Sequence, residues 1–211
     1  MRRFTKITAS IGPNCEDAKT LTSMISAGVN MCRLNFSHDT GDIQGKKIDM
    51  IRKISDKLHT PVAIVIDLQG PKHRIGNFAT EDKYPLTIGQ KFIFDTDPTP
   101  GDGTRVQLPD ADVMNSLRPG DRILLNDGKI EMTVDSVSPD QIVATVVRGN
   151  EIWSRRGFNL PDTDIATSVL TDKDKSDLEY AITKNPDYVA ISFVQRPEDV
   201  AEVRDFITAR T

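Results

Sequence analysis

The sequence predicts an α/β fold: four parallel strand–helix units, half of a closed parallel barrel, interrupted by an inserted all-β module. Three observations lead there. Apolar strand-like runs alternate with helical stripes up to about residue 70 and again from about residue 158. Between residues 73 and 157 the texture changes to short β-type runs separated by turn signals. Four of the apolar runs end in polar or charged residues, on the side where parallel barrels carry their chemistry.

In chain order, Thr5–Pro13 holds the first strand, and Asn14-Cys15-Glu16-Asp17 reads as a helix start with acids in its first turn. Leu21, Met24 and Ile25 repeat at helical spacing, and Gly28 is a natural stop. Val29 to Phe36 is the second strand. The helix after it carries Ile48, Ile51, Ile54 and Leu58 on one side and is closed by Pro61. Val62 to Asp67 is nearly all apolar, as suits a parallel strand covered on both faces. Within the insert, strands are expected at Lys91–Asp95, Thr104–Leu108, Arg122–Asn126, Lys129–Asp135 and Gln141–Arg148, without helices, as in a small β-barrel or sandwich. Asp127-Gly128 between two alternating runs signals a hairpin. Thr171 to Asp174 fits a capping box, with aspartate in place of the usual glutamate. Leu178, Ala181 and Ile182 form that helix's stripe, and Asn185-Pro186 ends it. Tyr188–Val194 is the fourth strand. Pro197 opens the last helix, whose Val200, Val203, Phe206 and Ile207 face a core. The expected segments are therefore 1–72, 73–157 and 158–211. Four parallel strands leave two open edges and one uncovered apolar face, to be covered by a further segment or by another copy.

A length of 211 residues accommodates two cores, and 37% hydrophobic with 27% charged residues is an ordinary soluble balance. The net charge of −4 argues against a nucleic-acid partner, so any anion site must be local. No apolar run approaches the ~20 residues that span a bilayer, which argues against a membrane partner. Met1-Arg2-Arg3-Phe4 leads into polar Thr5 and Lys6, unlike a signal core, so a cytoplasmic protein is expected. Cys15 and Cys32 lie near no second thiol or histidine pair, and read as reduced thiols. Asp95-Thr96-Asp97 with Gly101 is not a calcium loop, because Val106 stands where its last acid belongs.

Several segments, taken together, resemble the N-terminal part of the pyruvate kinase family. They are Thr5-Lys6-Ile7 with Ile11-Gly12-Pro13, Arg33 to His38, Asp67 to Gly76, Asn126 to Ile130, Gly157 to Pro161, Leu170 to Asp174, and Ile191 to Val194. Singly such pieces mean little; their order and spacing are specific. The resemblance implies the first half, four βα units, of a TIM (β/α)8 barrel with an inserted all-β lid. It also implies phosphoryl transfer between phosphoenolpyruvate and ADP, giving pyruvate and ATP, in a homo-oligomer (a tetramer in the intact family). Magnesium or manganese would be needed, its main ligands lying on strands beyond this chain, so the 211 residues alone are expected to be nearly inactive.

Residue by residue, the resemblance assigns Arg33 to the transferring phosphate and Arg74 to the nucleotide, both as catalytic groups. A guanidinium fork grips phosphate oxygens and offsets developing charge. Asn35, Ser37, Asp67 and the Leu68 carbonyl match a potassium site, and hard cations want such oxygens. Asn35, His38 and Arg156 match the nucleotide side, and Ser192 lines the substrate site. Asp127 matches the lid face that closes on substrate, although Asp-Gly also suits the turn itself. Lys72 stands where many members carry glutamate, and its ammonium is expected to replace potassium. Lysine is usual at the position of Arg156, which leaves open whether Arg155 or Arg156 faces nucleotide. His59 reads as a surface residue and His73 as a local substitution at an apolar position. Two other readings are a binding protein that keeps the nucleotide and anion groove without chemistry, and a self-associating structural subunit.

Overall fold

The computed structural model describes residues 4–165 and 167–211. Met1–Arg3, part of the start read above as unlike a signal, and Ala166 lie outside the described residues. The chain divides into two compact units, one of Met1–Pro71 with Ser168–Thr211, the other Lys72–Thr167. No helix among the described residues is long and apolar enough to cross a membrane.

The first unit opens with β1 (Thr8–Ile11), α1 (Ala18–Ser26), β2 (Met31–Asn35), α2 (Gly41–Lys57) and β3 (Ala63–Asp67). The start of α1 falls later than expected. Asn14 and Cys15 form a turn, and the Asp17 carboxylate caps the helix by accepting from the Lys19 and Thr20 N–H groups, both at 3.0 Å. The acids therefore precede the first turn instead of occupying it. Gly28, at φ 108°, takes the left-handed conformation that ends the helix and turns the chain into β2.

The second unit holds β4 (Tyr84–Pro85), β5 (Lys91–Asp95), β6 (Arg105–Gln107), α3 (Ala111–Ser116), β7 (Arg122–Leu125), β8 (Ile130–Val137), β9 (Gln141–Arg148), β10 (Glu151–Ile152) and β11 (Phe158–Asn159). The five expected strands are present as β5, β6, β7, β8 and β9. Their sheet runs in the order β11-β7-β8-β9-β5-β6, and β4 pairs with β10. The Asp127-Gly128 hairpin joins β7 and β8, with Asn126, Asp127 and Gly128 at φ 51°, 56° and 79°. The module is not free of helix. Asp110 caps α3 through the Val113 N–H, while Val113, Met114 and Leu117 enter the core. Phe92, Phe94 and Phe158 anchor that core, Phe94 meeting Phe158 edge-on at 5.5 Å. The unit runs past residue 157 because its tail stays attached. Arg122 pairs with Asp162, the Thr163 hydroxyl donates to Asp121 at 2.8 Å, and Leu160 and Ile165 join the core.

The chain then returns to the first unit with α4 (Asp172–Ile182), β12 (Tyr188–Ala190) and α5 (Pro197–Thr208). The capping box at Thr171 and Asp174 is formed in both directions. A curled, wholly parallel sheet results, in the order β1-β2-β3-β12. Its core lies between one face of the sheet and the helices: Leu34, Ile64 and Ile66 from the strands, Leu21, Ile48, Ile51, Leu178 and Val203 from the helices. The fourth strand stops at Ala190, earlier than expected, and Val200 is 40% exposed instead of facing a core. Cys32 is fully buried on β2, and burial pushes its thiol up to about 11, with Cys15 adding a little, so it stays protonated and inert. Both cysteines are free.

Candidate anion and cation site at the strand ends

The register of the parallel sheet brings the C-terminal tips of its strands level. Ser10 pairs with Arg33, and Asn35 lies opposite Asp67, which also pairs with Ala190. The Arg33 guanidinium reaches both neighbours. Nη1 donates to Ser10 Oγ at 2.7 Å, and Nη2 forms an ion pair with the Asp67 carboxylate. Its side chain keeps 37% exposure against 15% for Asp67, so the cation is held in place yet open to an anion.

The loop after β2 is built from backbone-directed contacts. Asn35 Oδ1 accepts from the Ser37 N–H at 2.9 Å, and the Phe36 N–H donates to Asp67 O at 2.9 Å. Gln44, buried on α2, donates to the carbonyls of Asn35 and His38, both at 3.0 Å. Lys173 donates to Phe36 O at 2.7 Å and pairs with Asp177. Lys47 bridges Asp39 and Glu16, each at 2.8 Å. Burial opposes its charge, but hydrogen bonds to the two acids win and lift its pKa.

The exit of β3 is clamped by Asp174, which is fully buried. Its carboxylate accepts from the Gln69 N–H at 2.9 Å, from the Gly70 N–H at 3.1 Å, and from the Thr171 N–H and hydroxyl. Gly70 has φ 66°, and a Cβ there would stand 2.9 Å from the Phe193 ring and 3.2 Å from Ser192 O. Where β12 stops, the Ser192 hydroxyl takes over from the ladder and donates to Leu68 O at 3.0 Å. Asp199 holds the loop beyond, accepting from the Gln195 N–H at 2.8 Å and the Arg196 N–H at 3.0 Å. The Gln195 bond, then the Arg196 N–H and charge, pull its carboxyl below the usual range against burial.

Six expected site residues thus lie together in the first unit: Arg33, Asn35, Ser37, Asp67, Leu68 and Ser192. The oxygens expected for a cation are already engaged, Asn35 Oδ1 by an amide, Asp67 by Arg33 and Leu68 O by a hydroxyl. Each such oxygen keeps a second lone pair. His38 is exposed, and it is its carbonyl that Gln44 holds. Asp67 is the one carboxylate in the Arg33 cluster, and no group of three or more histidine, cysteine or acidic residues able to hold a metal occurs among the described residues. A divalent ion does not fit on these residues alone, whereas neutral oxygens with one carboxylate suit a monovalent cation.

Lys72, Arg74, Asp127 and Arg156 belong to the second unit. Lys72 is exposed, and with Arg74, Pro109 and Asp110 it lines a cleft of about 380 Å³. His73 is no loose substitution. Its ring is 9% exposed and Nδ1 pairs with the Asp110 carboxylate, fixing the segment between Lys72 and Arg74. Arg74 donates to Arg155 O at 2.8 Å and bridges Gly157 through its backbone. Asp127 is exposed at its turn. Arg155 is exposed with φ 61°, whereas Arg156 is half-buried with its guanidinium carbon 4.6 Å from the centre of the Trp153 ring.

Sequence reasoning missed Gln44, Lys173 and Asp199, and saw Asp174 as a cap only. Gln44 gave a signal: it stands four residues before Ile48, a polar group on an apolar stripe.

A curled parallel α/β sheet with polar and charged side chains gathered near its strand ends is the arrangement of the barrel class. Residues 2–211 match the family described as pyruvate kinase, barrel domain. The chain is 40% identical to a pyruvate kinase of Methylorubrum extorquens over 208 residues, covering 99% of this chain and 43% of that one. It is 35% identical to a pyruvate kinase of Clostridium acetobutylicum over 201 residues, 95% of this chain and 42% of that protein. The crystal structure of a pyruvate kinase from Cryptosporidium parvum superposes with a TM-score of 0.90 at 30% identity, over 98% of this chain and 42% of that one. The chain belongs to the pyruvate kinase family, and it spans less than half the length of these relatives.

Proposed function

We propose that this chain supplies the phosphate-gripping part of a phosphotransferase that moves a phosphoryl group between phosphoenolpyruvate and ADP. The observation that carries the reading is Arg33, suspended between Ser10 Oγ and the Asp67 carboxylate with its side chain still open to solvent. A guanidinium fixed before the substrate arrives needs no reorganisation to meet the charge that spreads over a transferring phosphoryl group. Ser192 would line the substrate end, and Asn35, His38, Arg74 and Arg156 would be the nucleotide-binding residues. The first unit would be the first half, four βα units, of the family's TIM barrel, and the second unit its lid, with Asp127 on the closing face.

A monovalent cation would be held by Asn35, Ser37, Asp67 and the Leu68 carbonyl, adding positive charge beside the phosphate. Lys72 would make that ion dispensable, so the whole enzyme would turn over without potassium. Magnesium or manganese, required by the chemistry, would rest on groups outside these 211 residues, and the chain alone would bind without turning over. A homo-oligomer in the cytoplasm is the setting this reading implies. One feature favours self-association as a second reading: β1 and β12 are open edges, and Tyr188, Phe193, Val194 and Val200 are exposed beside the latter.

Calorimetric titration of the purified chain with phosphoenolpyruvate tests the proposal, alongside an assay coupled to pyruvate. Expected are binding that Arg33→Ala weakens about tenfold or more and background turnover. Equal binding by both proteins removes the site, and robust turnover removes the claim of inactivity.

A further inference from the structure

Most guanidinium groups near the second unit's binding candidates are already engaged. Arg105 meets Asp95 through two nitrogens, Arg122 meets Asp162 through two, Arg148 meets Glu131, and Arg74 donates to Arg155 O. Arg156 differs. Its Nε donates to Ser154 O at 3.2 Å, and among the described residues its two terminal amino groups have no protein partner. The group is nonetheless fixed, because it lies over the ring of Trp153, the only tryptophan in the chain. Lys83 approaches the same ring, its Nζ 4.8 Å from the centre, but it is neutralised by an ion pair with Glu151. The indole therefore holds one compensated cation and one uncompensated one. Arg155, next in the chain, has no such platform; it is exposed, and its carbonyl serves Arg74.

We infer that Trp153 is a positioning residue that presents the fork of Arg156, the arginine placed on the nucleotide side above, to the polyphosphate of a nucleotide. The inference rests on the nucleotide-binding reading above and deepens it. A flexible arginine loses side-chain freedom when it grips an anion. Resting the guanidinium over an aromatic ring removes part of that loss in advance, while its unengaged terminal nitrogens stay available for oxygen. Arginine suits this arrangement better than lysine, whose ammonium has no flat face to lay on an indole. The departure from lysine at position 156 and the presence of tryptophan at 153 thus form one device. The ring also becomes a reporter, since an anion closing on the guanidinium changes the field that the indole feels.

The test titrates the chain with ATP, inorganic tripolyphosphate and adenosine into the millimolar range, reading Trp153 fluorescence and, for every variant, calorimetry. ATP and tripolyphosphate are expected to change the fluorescence, and adenosine is not. Arg156→Gln should weaken tripolyphosphate binding about tenfold or more, as for a lost charged hydrogen bond, and Arg155→Gln less than about twofold. Trp153→Leu should cost about two- to fivefold, the range expected from an exposed cation–π contact, and Trp153→Phe should recover part of it. A far-ultraviolet spectrum unchanged by each substitution sets misfolding aside. Full affinity in Trp153→Leu, or no recovery in Trp153→Phe, overturns the positioning role while leaving the nucleotide reading intact. Equal losses in Arg155→Gln and Arg156→Gln overturn the choice between the two. An adenosine response equal to that of ATP would make Trp153 a base-stacking surface instead. Absence of any binding by the unsubstituted chain removes the nucleotide reading and this inference with it.

Discussion

Replacing Asp174 with alanine deletes the clamp that fixes the exit of β3. The carboxylate is fully buried and accepts from the Gln69, Gly70 and Thr171 amides and from the Thr171 hydroxyl. Thr171 can turn its hydroxyl elsewhere, but the Gln69 and Gly70 amides have no alternative partner supplied by the helix. Each buried donor left unsatisfied costs roughly 1–3 kcal/mol, so the pair costs about 2–6 kcal/mol. That is a large share of a typical total of roughly 5–15 kcal/mol. Divided by a urea dependence of about 2 kcal/mol/M, the middle of the usual range, it lowers the midpoint by about 1–3 M. The assay is urea unfolding followed by two probes. Far-ultraviolet circular dichroism reports α1, α2, α4 and α5, all in the first unit, while Trp153 fluorescence reports the second. The helical signal is expected to move and the tryptophan signal to stay. Asp174→Asn keeps one acceptor oxygen but turns a donor toward the amides, so it should lose a substantial part of the same amount. A helical midpoint shifted by less than about 0.3 M in Asp174→Ala, equivalent to under ~1 kcal/mol, would show that solvent or another group serves those amides and would refute the reasoning.

Two further outcomes follow from the neighbouring loops. Gly70→Ala should destabilise the first unit by about 1–2 kcal/mol, the cost of a Cβ in the left-handed region, and the contact with Ser192 O adds to it. Circular dichroism in urea reads it, and an unchanged midpoint would mean that the loop simply moves. Asp199 gives a pH dependence with a defined sign. Its folded carboxyl lies below the ordinary value because of the Gln195 and Arg196 amides, so its stabilisation is complete above the unfolded carboxylate pKa and is lost as pH falls through the depressed one. Urea midpoints measured from neutral pH down to about pH 2 should therefore fall less steeply in Asp199→Asn than in the unsubstituted chain; identical slopes would discard the assignment.

The strands and long helices were legible because burial imposes a period. Ile48, Ile51 and Ile54 had to share one face of α2, and Ile64 and Ile66 one face of β3, although the cover expected on both faces of that strand is seen on one only, since Val65 joins neither core cluster. The grouping of strand-end residues was legible in outline for a related reason: a polar residue that closes an apolar strand of a parallel sheet falls at the tip, as Asn35 and Asp67 do side by side. What stayed hidden acts across the chain. Asp174 reaches Gln69 and Gly70, and Lys173 reaches Phe36, over sequence separations that no local pattern records. Periodicity likewise marks which face of α5 is apolar without saying what covers it, and so Val200 was expected inside although it is 40% exposed. The six residues of α3 are shorter than any window in which a helical period can be read. Charge type was the least informative feature of all. Arg105, Arg122 and Arg156 are the same residue in the sequence, yet two are paired to carboxylates and the third rests on an indole with its fork open. An arginine's capacity to bind an anion depends on which of its donors the fold leaves unengaged, and that is a property of long-range neighbours. It follows that substituting Trp153 tests more than one contact: it asks whether the environment of Arg156, rather than its identity, makes it a binding group.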